Sequence, residues 1–79
     1  MESNLNHLKE GESAIIRSIG ADDALYHRLI ALGFREGKAV SVVRHGRFRG
    51  PVQVRVGTTD VILRRTDAEK IRVIATPAP

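Results

Sequence analysis

The chain is short and basic, and its composition excludes several classes of protein. With 79 residues it holds one domain at most, and a domain of that size buries only about 60% of the surface that its unfolded chain exposes. The absence of cysteine excludes disulfide bonds, a thiolate nucleophile and a zinc–thiolate site, and it fits a reducing compartment. Thirteen Lys and Arg against nine Asp and Glu give a net charge of +4. That charge favours an anionic partner: nucleic acid, an acidic protein or a lipid headgroup surface.

The N-terminal residues carry charges and contain no apolar stretch of signal-peptide length. The longest aliphatic run is Leu29-Ile30-Ala31-Leu32, which is far too short to cross a bilayer. We therefore expect a cytoplasmic protein that does not insert into the membrane.

The first half of the chain predicts a strand followed by a helix. Residues 13–19, "SAIIRSI", are rich in β-branched side chains and stand between two glycines, as is typical of a strand. In "KEGE" and again in "REGK", Gly11 and Gly37 occupy the third position, where a type II turn requires positive φ. Leucines then recur at the spacing of one helical face: Leu25, Leu29 and Leu32. The predicted helix covers residues 22–32, with Asp22 as N-cap, and a left-handed Gly33 followed by apolar Phe34 ends it.

The second half predicts further strands. "AVSVV" at 39–43 and "PVQVRV" at 51–56 alternate, with Val52, Val54 and Val56 directed inward. "GTTD" at 57–60 reads as a hairpin loop and "VILR" as the returning strand. "TDAE" at 66–69 has the composition of a capping box, which begins a helical turn. "IRVI" at 71–74 is the last strand, and 75–79 form a flexible tail.

These elements predict a mostly β protein: a small five-stranded barrel with one α-helix after the first strand and a helical turn before the last. We expect full or near closure of this barrel, which would remove the unpaired edges that endanger short sheets. We expect residues 1–79 to form a single domain, with its core at about 5–74.

No set of residues indicates catalysis or a cofactor. The histidines show no metal-ligand spacing and fall in different elements: His7, His27 and His45. Asp22 and Asp23 are better explained by helix capping than by acid–base or metal chemistry. The chain has neither a recognisable Ser-His-Asp arrangement nor a phosphate-binding glycine loop. We therefore predict no catalytic, cofactor-binding or metal-binding residues and no enzyme, and leave weak metal binding open.

The arginines allow two interpretations. Those on the predicted strands and loops, Arg44, Arg47, Arg49, Arg55, Arg64, Arg65 and Arg72, suit either phosphate contacts with RNA or DNA or a contact with an acidic protein. Single-stranded nucleic acid usually also requires exposed aromatic residues, and only Phe48, within "GRFRG", is a candidate. Phe48 either folds back over an open end of the barrel or contacts a partner, and folding back is the simpler expectation.

Two motifs resemble the FeoA family, the small cytosolic companions of the bacterial ferrous-iron transporter FeoB. The first comprises Arg28, Leu29, Leu32, Gly33 and Gly37, and the second comprises Leu63, Arg64, Arg65, Ala68 and Ile71. The similarity runs from about Leu5 to Ile74, although "RHGRFRGP" is rich in arginine where family members more often carry Gly-Asp-Pro.

The resemblance implies an SH3-like barrel and a non-enzymatic adaptor that supports ferrous iron uptake by binding the cytosolic part of the transporter. It does not imply that iron binds to this chain. The expected partner-binding residues are Arg47, Phe48, Arg49, Arg64 and Arg65. A basic module that binds RNA or DNA is the alternative, and self-association is left open.

Overall fold

The structure, a computed structural model, describes residues 2–75 and consists mainly of β-strands. The strands are β1 (Glu2–Asn4), β2 (Ser13–Ile19), β3 (Ala39–His45), β4 (Val52–Val56), β5 (Thr59–Leu63) and β6 (Ile71–Ala75). Helix α1 (Asp23–Leu32) follows β2, and the short helix α2 (Arg65–Ala68) precedes β6. Single 3-10 turns occupy Leu5–His7 and Arg47–Arg49.

All strand pairs are antiparallel, in the order β1-β6-β2-β3-β4-β5. Among the described residues β1 and β5 do not pair with each other, so the expected closure does not remove the two edges of the sheet. The register shifts between Ile16 and Ser18 of β2, and again between Val42 and Arg44 of β3. Such bulges bend a strand and increase its twist, so they curve the sheet around a single core.

Apolar side chains that point inward at every second strand position form much of that core. The valines of β4 that were predicted to face inward, Val52, Val54 and Val56, are buried. Val40 and Val42 of β3 are buried as well. From α1, Leu25 and Leu29 are buried, whereas Leu32 is only partly buried. Among the described residues no charged or polar residue is buried, so the core is entirely hydrophobic.

Both ends of α1 confirm the sequence prediction. Asp22 Oδ1 accepts a hydrogen bond from the Leu25 amide at 3.0 Å, which satisfies a donor that the first turn leaves unpaired. Gly33 has φ 106, and its N–H donates to the Ile30 carbonyl at 3.0 Å. The Phe34 N–H donates to Leu29 at 3.0 Å, which completes a Schellman ending.

Several boundaries differ from the prediction. The sheet has six strands rather than five, because residues 2–4 pair with β6 in the register Ser3↔Val73, ahead of the expected core boundary at Leu5. At the other end Ala75 belongs to β6 instead of the tail, and 76–79 lie outside the described residues.

Two local predictions were also wrong. The hairpin turn between β4 and β5 is shorter than "GTTD", since Val56 pairs directly with Thr59. Helix α2 begins at Arg65 rather than Thr66, and its N-cap, Arg64, makes no side-chain capping bond. The capping-box composition at 66–69 therefore lies inside the turn that it was expected to begin.

Candidate partner-binding surface

The loop between β3 and β4, residues 46–51, is closed by its own backbone. The Gly46 N–H donates to the Pro51 carbonyl at 2.8 Å, and the Gly50 N–H donates to the Arg47 carbonyl at 3.0 Å. A Cβ at Gly46 would lie 2.6 Å from the Pro51 oxygen, and one at Gly50 would lie 2.9 Å from the Arg47 oxygen. Both positions therefore require glycine, and the loop has a defined shape.

Phe48 projects from this loop into solvent. Its side chain is 97% exposed, so the expectation that it folds back over the barrel is wrong. Phe48 and Arg49 have φ 55 and φ 61, a left-handed conformation that few residues other than glycine adopt. Backbone of this kind costs on the order of 1–3 kcal/mol per residue and concentrates at functional sites. The loop thus holds a large apolar side chain outward in an unfavourable conformation.

The sequence around Phe48 is basic. Arg44, Arg47 and Arg49 are all exposed, and residues 37–59 contain no acidic residue. At the base of the loop, the Glu10 carboxylate accepts a hydrogen bond from the His45 amide at 3.0 Å. This contact ties the end of β3 to the segment before β2 and leaves the tip of the loop basic.

The strand register places Arg64 at the same end of the sheet as this loop. Leu63 pairs with Val52, and Val52 pairs with His45, so the residues that follow β5 leave the sheet beside the β3–β4 connection. Arg64 is exposed there. Arg65 is half-buried on α2, where its carbonyl accepts a hydrogen bond from Asn6 Nδ2 at 2.9 Å. The sequence grouped these two arginines, but only Arg64 is fully on the surface.

An apolar depression beside the loop was missed by the sequence analysis. It has a volume of about 190 Å³ and is lined by Arg44, Gly46, Pro51, Gln53 and Ile62. Three of these residues lie in one row across the outer face of the sheet, because Gln53 pairs with both Arg44 and Ile62. Ile62 is 70% exposed. The exposure of Ile62 could have been predicted from "VIL" in β5. Successive side chains of a strand point to opposite faces, so Ile62 faces outward when Val61 and Leu63 face inward.

The residues of the first FeoA-like motif stabilise the fold. Arg28 Nη2 lies 3.3 Å from Asp67 Oδ2, an ion pair that links α1 to α2. Leu29 is fully buried, and Gly37 has φ 87 and donates its N–H to the Ile16 carbonyl at 2.8 Å. These residues, together with Leu32 and Gly33, position α1 against the sheet.

The histidines occupy separate places. His7 and His27 are exposed, and His45 Nε2 lies 2.6 Å from the Leu8 carbonyl. Within residues 2–75, no three His, Asp or Glu side chains gather as a ligand set for a metal ion. In the same part of the chain, no helix has the length and hydrophobicity needed to span a membrane.

Residues 3–75 match the model of a protein family that is described as "FeoA domain". The chain belongs to the FeoA family. It is 35% identical over 69 residues to the putative Fe(2+) transport protein A of Campylobacter jejuni, a match that covers 87% of this chain and 93% of that protein. It is 36% identical over 69 residues to a Fe(2+) transport protein A/Fe(2+) transporter FeoB fusion protein of Porphyromonas gingivalis. That match covers 87% of this chain but only 8% of the fusion protein.

A solved FeoA structure confirms the fold. The Stenotrophomonas maltophilia FeoA, solved in complex with zinc, is 35% identical and superposes with a TM-score of 0.79 over 90% of this chain and 88% of that chain. It is described as a prokaryotic SH3 domain protein and a candidate activating factor for ferrous iron transport. The barrel of this FeoA protein is therefore SH3-like, and the resemblance drawn from the two sequence motifs is confirmed.

Proposed function

We propose that this FeoA protein is a non-enzymatic cytoplasmic accessory of ferrous iron uptake that binds the cytosolic part of a FeoB-type transporter. The supporting observation is the Porphyromonas fusion protein, which joins Fe(2+) transport protein A and FeoB in one polypeptide. Fusion keeps two domains at high effective concentration, which benefits domains that act on each other. Without a fusion, the same proximity requires that the FeoA domain bind the transporter.

The β3–β4 loop is the contact surface in this proposal. Exposed aromatic and arginine side chains are the residue types that dominate interface energetics. Phe48 supplies apolar area, and Arg47 and Arg49 supply the charge that attracts an acidic surface. The backbone bonds of Gly46 and Gly50 fix the loop before binding, so little ordering entropy is lost when the partner arrives. Arg64 extends the basic surface, and Arg65 lies at its margin.

The test is the affinity for the purified cytosolic part of a FeoB transporter, measured by surface plasmon resonance. Combining Arg47→Glu with Arg49→Glu should slow association and reduce its salt dependence, because these charges act on the encounter. Phe48→Ala should mainly accelerate dissociation. The matched control combines Arg35→Glu with Lys38→Glu in the exposed turn at the opposite end of β3, and it should bind like the wild type.

The outcome also decides the alternative function. Folded loop variants that bind the transporter like the wild type would remove the loop from the contact surface. If the same charge reversal instead abolished binding to a single-stranded RNA or DNA oligonucleotide and flattened its salt dependence, the chain would be a nucleic-acid module.

A further inference from the structure

Strand β5 forms a sheet edge with unusually little protection. The strand order leaves β1 and β5 at the two edges, and β1 is only three residues long. Proteins usually protect an edge by shortening it, bulging it or placing proline or charged side chains, especially lysine, on it. β5 has five residues, contains neither proline nor lysine, and pairs with β4 without a register shift. Its one charged residue, Asp60, is paired with Arg55 of β4.

The free backbone groups of this edge follow from the hairpin register. Val56 and Thr59 flank a two-residue turn and form a hydrogen-bonded pair, and such pairs alternate along an antiparallel ladder. The N–H and C=O groups of Asp60 and Ile62 therefore point away from β4. Within residues 2–75, no strand pairs with β5 on that side, and no loop or turn hydrogen bond reaches these groups. The edge can accept another strand.

The outward side chains of the same segment are self-complementary. Val61 and Leu63 are buried, so Asp60, Ile62 and Arg64 share the outer face, and Arg64 continues the extended backbone with φ −66 and ψ 149. The three form the order acid, apolar, base. Read in the opposite direction, the order becomes base, apolar, acid. A second copy lying antiparallel with Ile62 opposite Ile62 would place each Asp60 opposite an Arg64.

We propose that two copies of this chain associate through β5 about a two-fold axis at Ile62. The two Ile62 residues exchange backbone N–H···O=C bonds, and their exposed side chains pack together. On each side, the Arg64 N–H donates to the Asp60 carbonyl of the other copy. The Arg64 carbonyl takes no part, because it already accepts from Asp67 and Ala68 of α2 at 3.0 and 2.9 Å. Such an interface is closed, so it yields a dimer rather than a filament.

Asp60 retains capacity for the second arginine. Within one copy its carboxylate accepts from Arg55 Nε at 2.6 Å and Arg55 Nη2 at 3.1 Å, and also from the Gln53 side chain. A carboxylate offers about four lone-pair sites, so one site remains for Arg64 of the second copy beside Arg55 and Gln53. The Asp60 side chain is 40% exposed, which leaves it accessible from the edge.

The first test exploits charge complementarity between different variants. In Arg64→Asp homodimers two aspartates would face each other at both ends, and in Asp60→Arg homodimers two arginines would. Each variant should dimerise at least about tenfold more weakly than the wild type, because like charges replace opposite charges in both cross-strand pairs. An equimolar mixture should form a heterodimer of near wild-type affinity, because both cross-strand pairs between the two copies then contain opposite charges.

Sedimentation equilibrium from micromolar to millimolar protein measures these constants against the monomer mass of 8.7 kDa. The matched control is Arg35→Asp, a similar charge change on an exposed turn outside β5, which should leave dimerisation unchanged. A wild-type chain that stays monomeric throughout this range would overturn the proposal, and so would a mixture that dimerises no better than its components.

The second test needs no charge change. The chain has no cysteine, so Ile62→Cys introduces a single thiol on the proposed axis. Hydrogen-bonded antiparallel pairs hold their Cα atoms about 5.5 Å apart, within the range that a disulfide bridges. Mild oxidation should cross-link Ile62→Cys rapidly, whereas Ile74→Cys, on the partly exposed Ile74 of β6, should cross-link slowly. Equal rates for the two variants would contradict the β5 interface.

Discussion

At the scale of single residues, Gly33 shows how one position ends helix α1. Its φ of 106 is a conformation that side chains bearing a Cβ rarely adopt. A Cβ built there would lie 3.7 Å from Val56 Cγ1, which is an ordinary van der Waals contact. The requirement for glycine is therefore conformational and does not arise from crowding.

Replacing Gly33 with Val should lower the free energy of unfolding by about 1–2 kcal/mol or more, because a β-branched residue resists left-handed backbone. Urea denaturation measures the change, and Gly33→Asn is the matched control because Asn tolerates this conformation better. An unchanged denaturation midpoint for the Val variant would contradict the left-handed assignment.

Phe48 allows a test of whether its conformation serves binding or folding. With its ring 97% exposed and its φ at 55, Phe48 buries almost no area and occupies unfavourable backbone. Phe48→Asn should therefore leave stability unchanged or raise it by up to about 1 kcal/mol, since Asn accepts left-handed backbone more readily. The same variant should weaken transporter binding. Thermal unfolding monitored by circular dichroism measures the stability, and the binding assay measures the affinity. A clearly destabilised Phe48→Asn variant would contradict the prediction.

At the scale of elements, an ion pair between Arg55 and Asp60 links β4 to β5 on the outer face of the hairpin. The two residues lie directly opposite each other in the strand register. The hydrogen bond from Arg55 lowers the pKa of Asp60 below its ordinary value of 3.8, and the same bond raises the pKa of Arg55. A carboxylate whose pKa is depressed on folding contributes stability above its unfolded pKa. That contribution is lost as the pH falls through the lower, folded pKa.

In an NMR titration the Asp60 carboxyl should therefore have a pKa below 3.8, and Arg55→Leu should move that pKa upward because its main cause has been removed. The difference in free energy of unfolding between the wild type and Arg55→Leu should be present at neutral pH and vanish in strong acid. A pKa of Asp60 that does not respond to Arg55→Leu would show that the ion pair is absent in solution.

At the scale of the whole molecule, the two candidate surfaces lie on different features of one barrel. The transporter contact uses the loop that joins β3 to β4, and the proposed dimer uses the free edge of β5. Arg64 lies where they meet, at the end of β5 beside the loop. Phe48 lies on the loop and away from the β5 edge, so a Phe48 variant should weaken transporter binding and leave dimerisation unchanged. Ile62 belongs to the β5 edge and also lines the depression beside the loop.

Iron is the cargo of the transport process, and we expect no tight iron site on this chain. Without cysteine, the imidazoles of His7, His27 and His45 are the strongest available ligands, and they lie on a 3-10 turn, on α1 and on β3. Anaerobic calorimetric titration with Fe(II) should show no stoichiometric binding of micromolar affinity or better. Stoichiometric binding at that level would overturn the interpretation as a simple adaptor.

The sequence by itself determined those features that depend on local spacing. The span of β2, both ends of α1 and the inward valines of β4 follow from periodicity and from the conformational preferences of Asp22 and Gly33. The two FeoA motifs were also recognised from the sequence alone. The exposed basic loop was identified from "GRFRG", although the direction of Phe48 was not.

Only the tertiary structure decided the features that depend on distant parts of the chain. The three residues of β1 are too few to show a periodicity, and they form a strand because β6 offers them a partner. Phe48 points outward because the backbone bonds between Gly46 and Pro51 and between Arg47 and Gly50 close the loop beneath it. Within residues 2–75 the strand order places no strand beyond β5, which is therefore an edge, and no local residue pattern encodes that order.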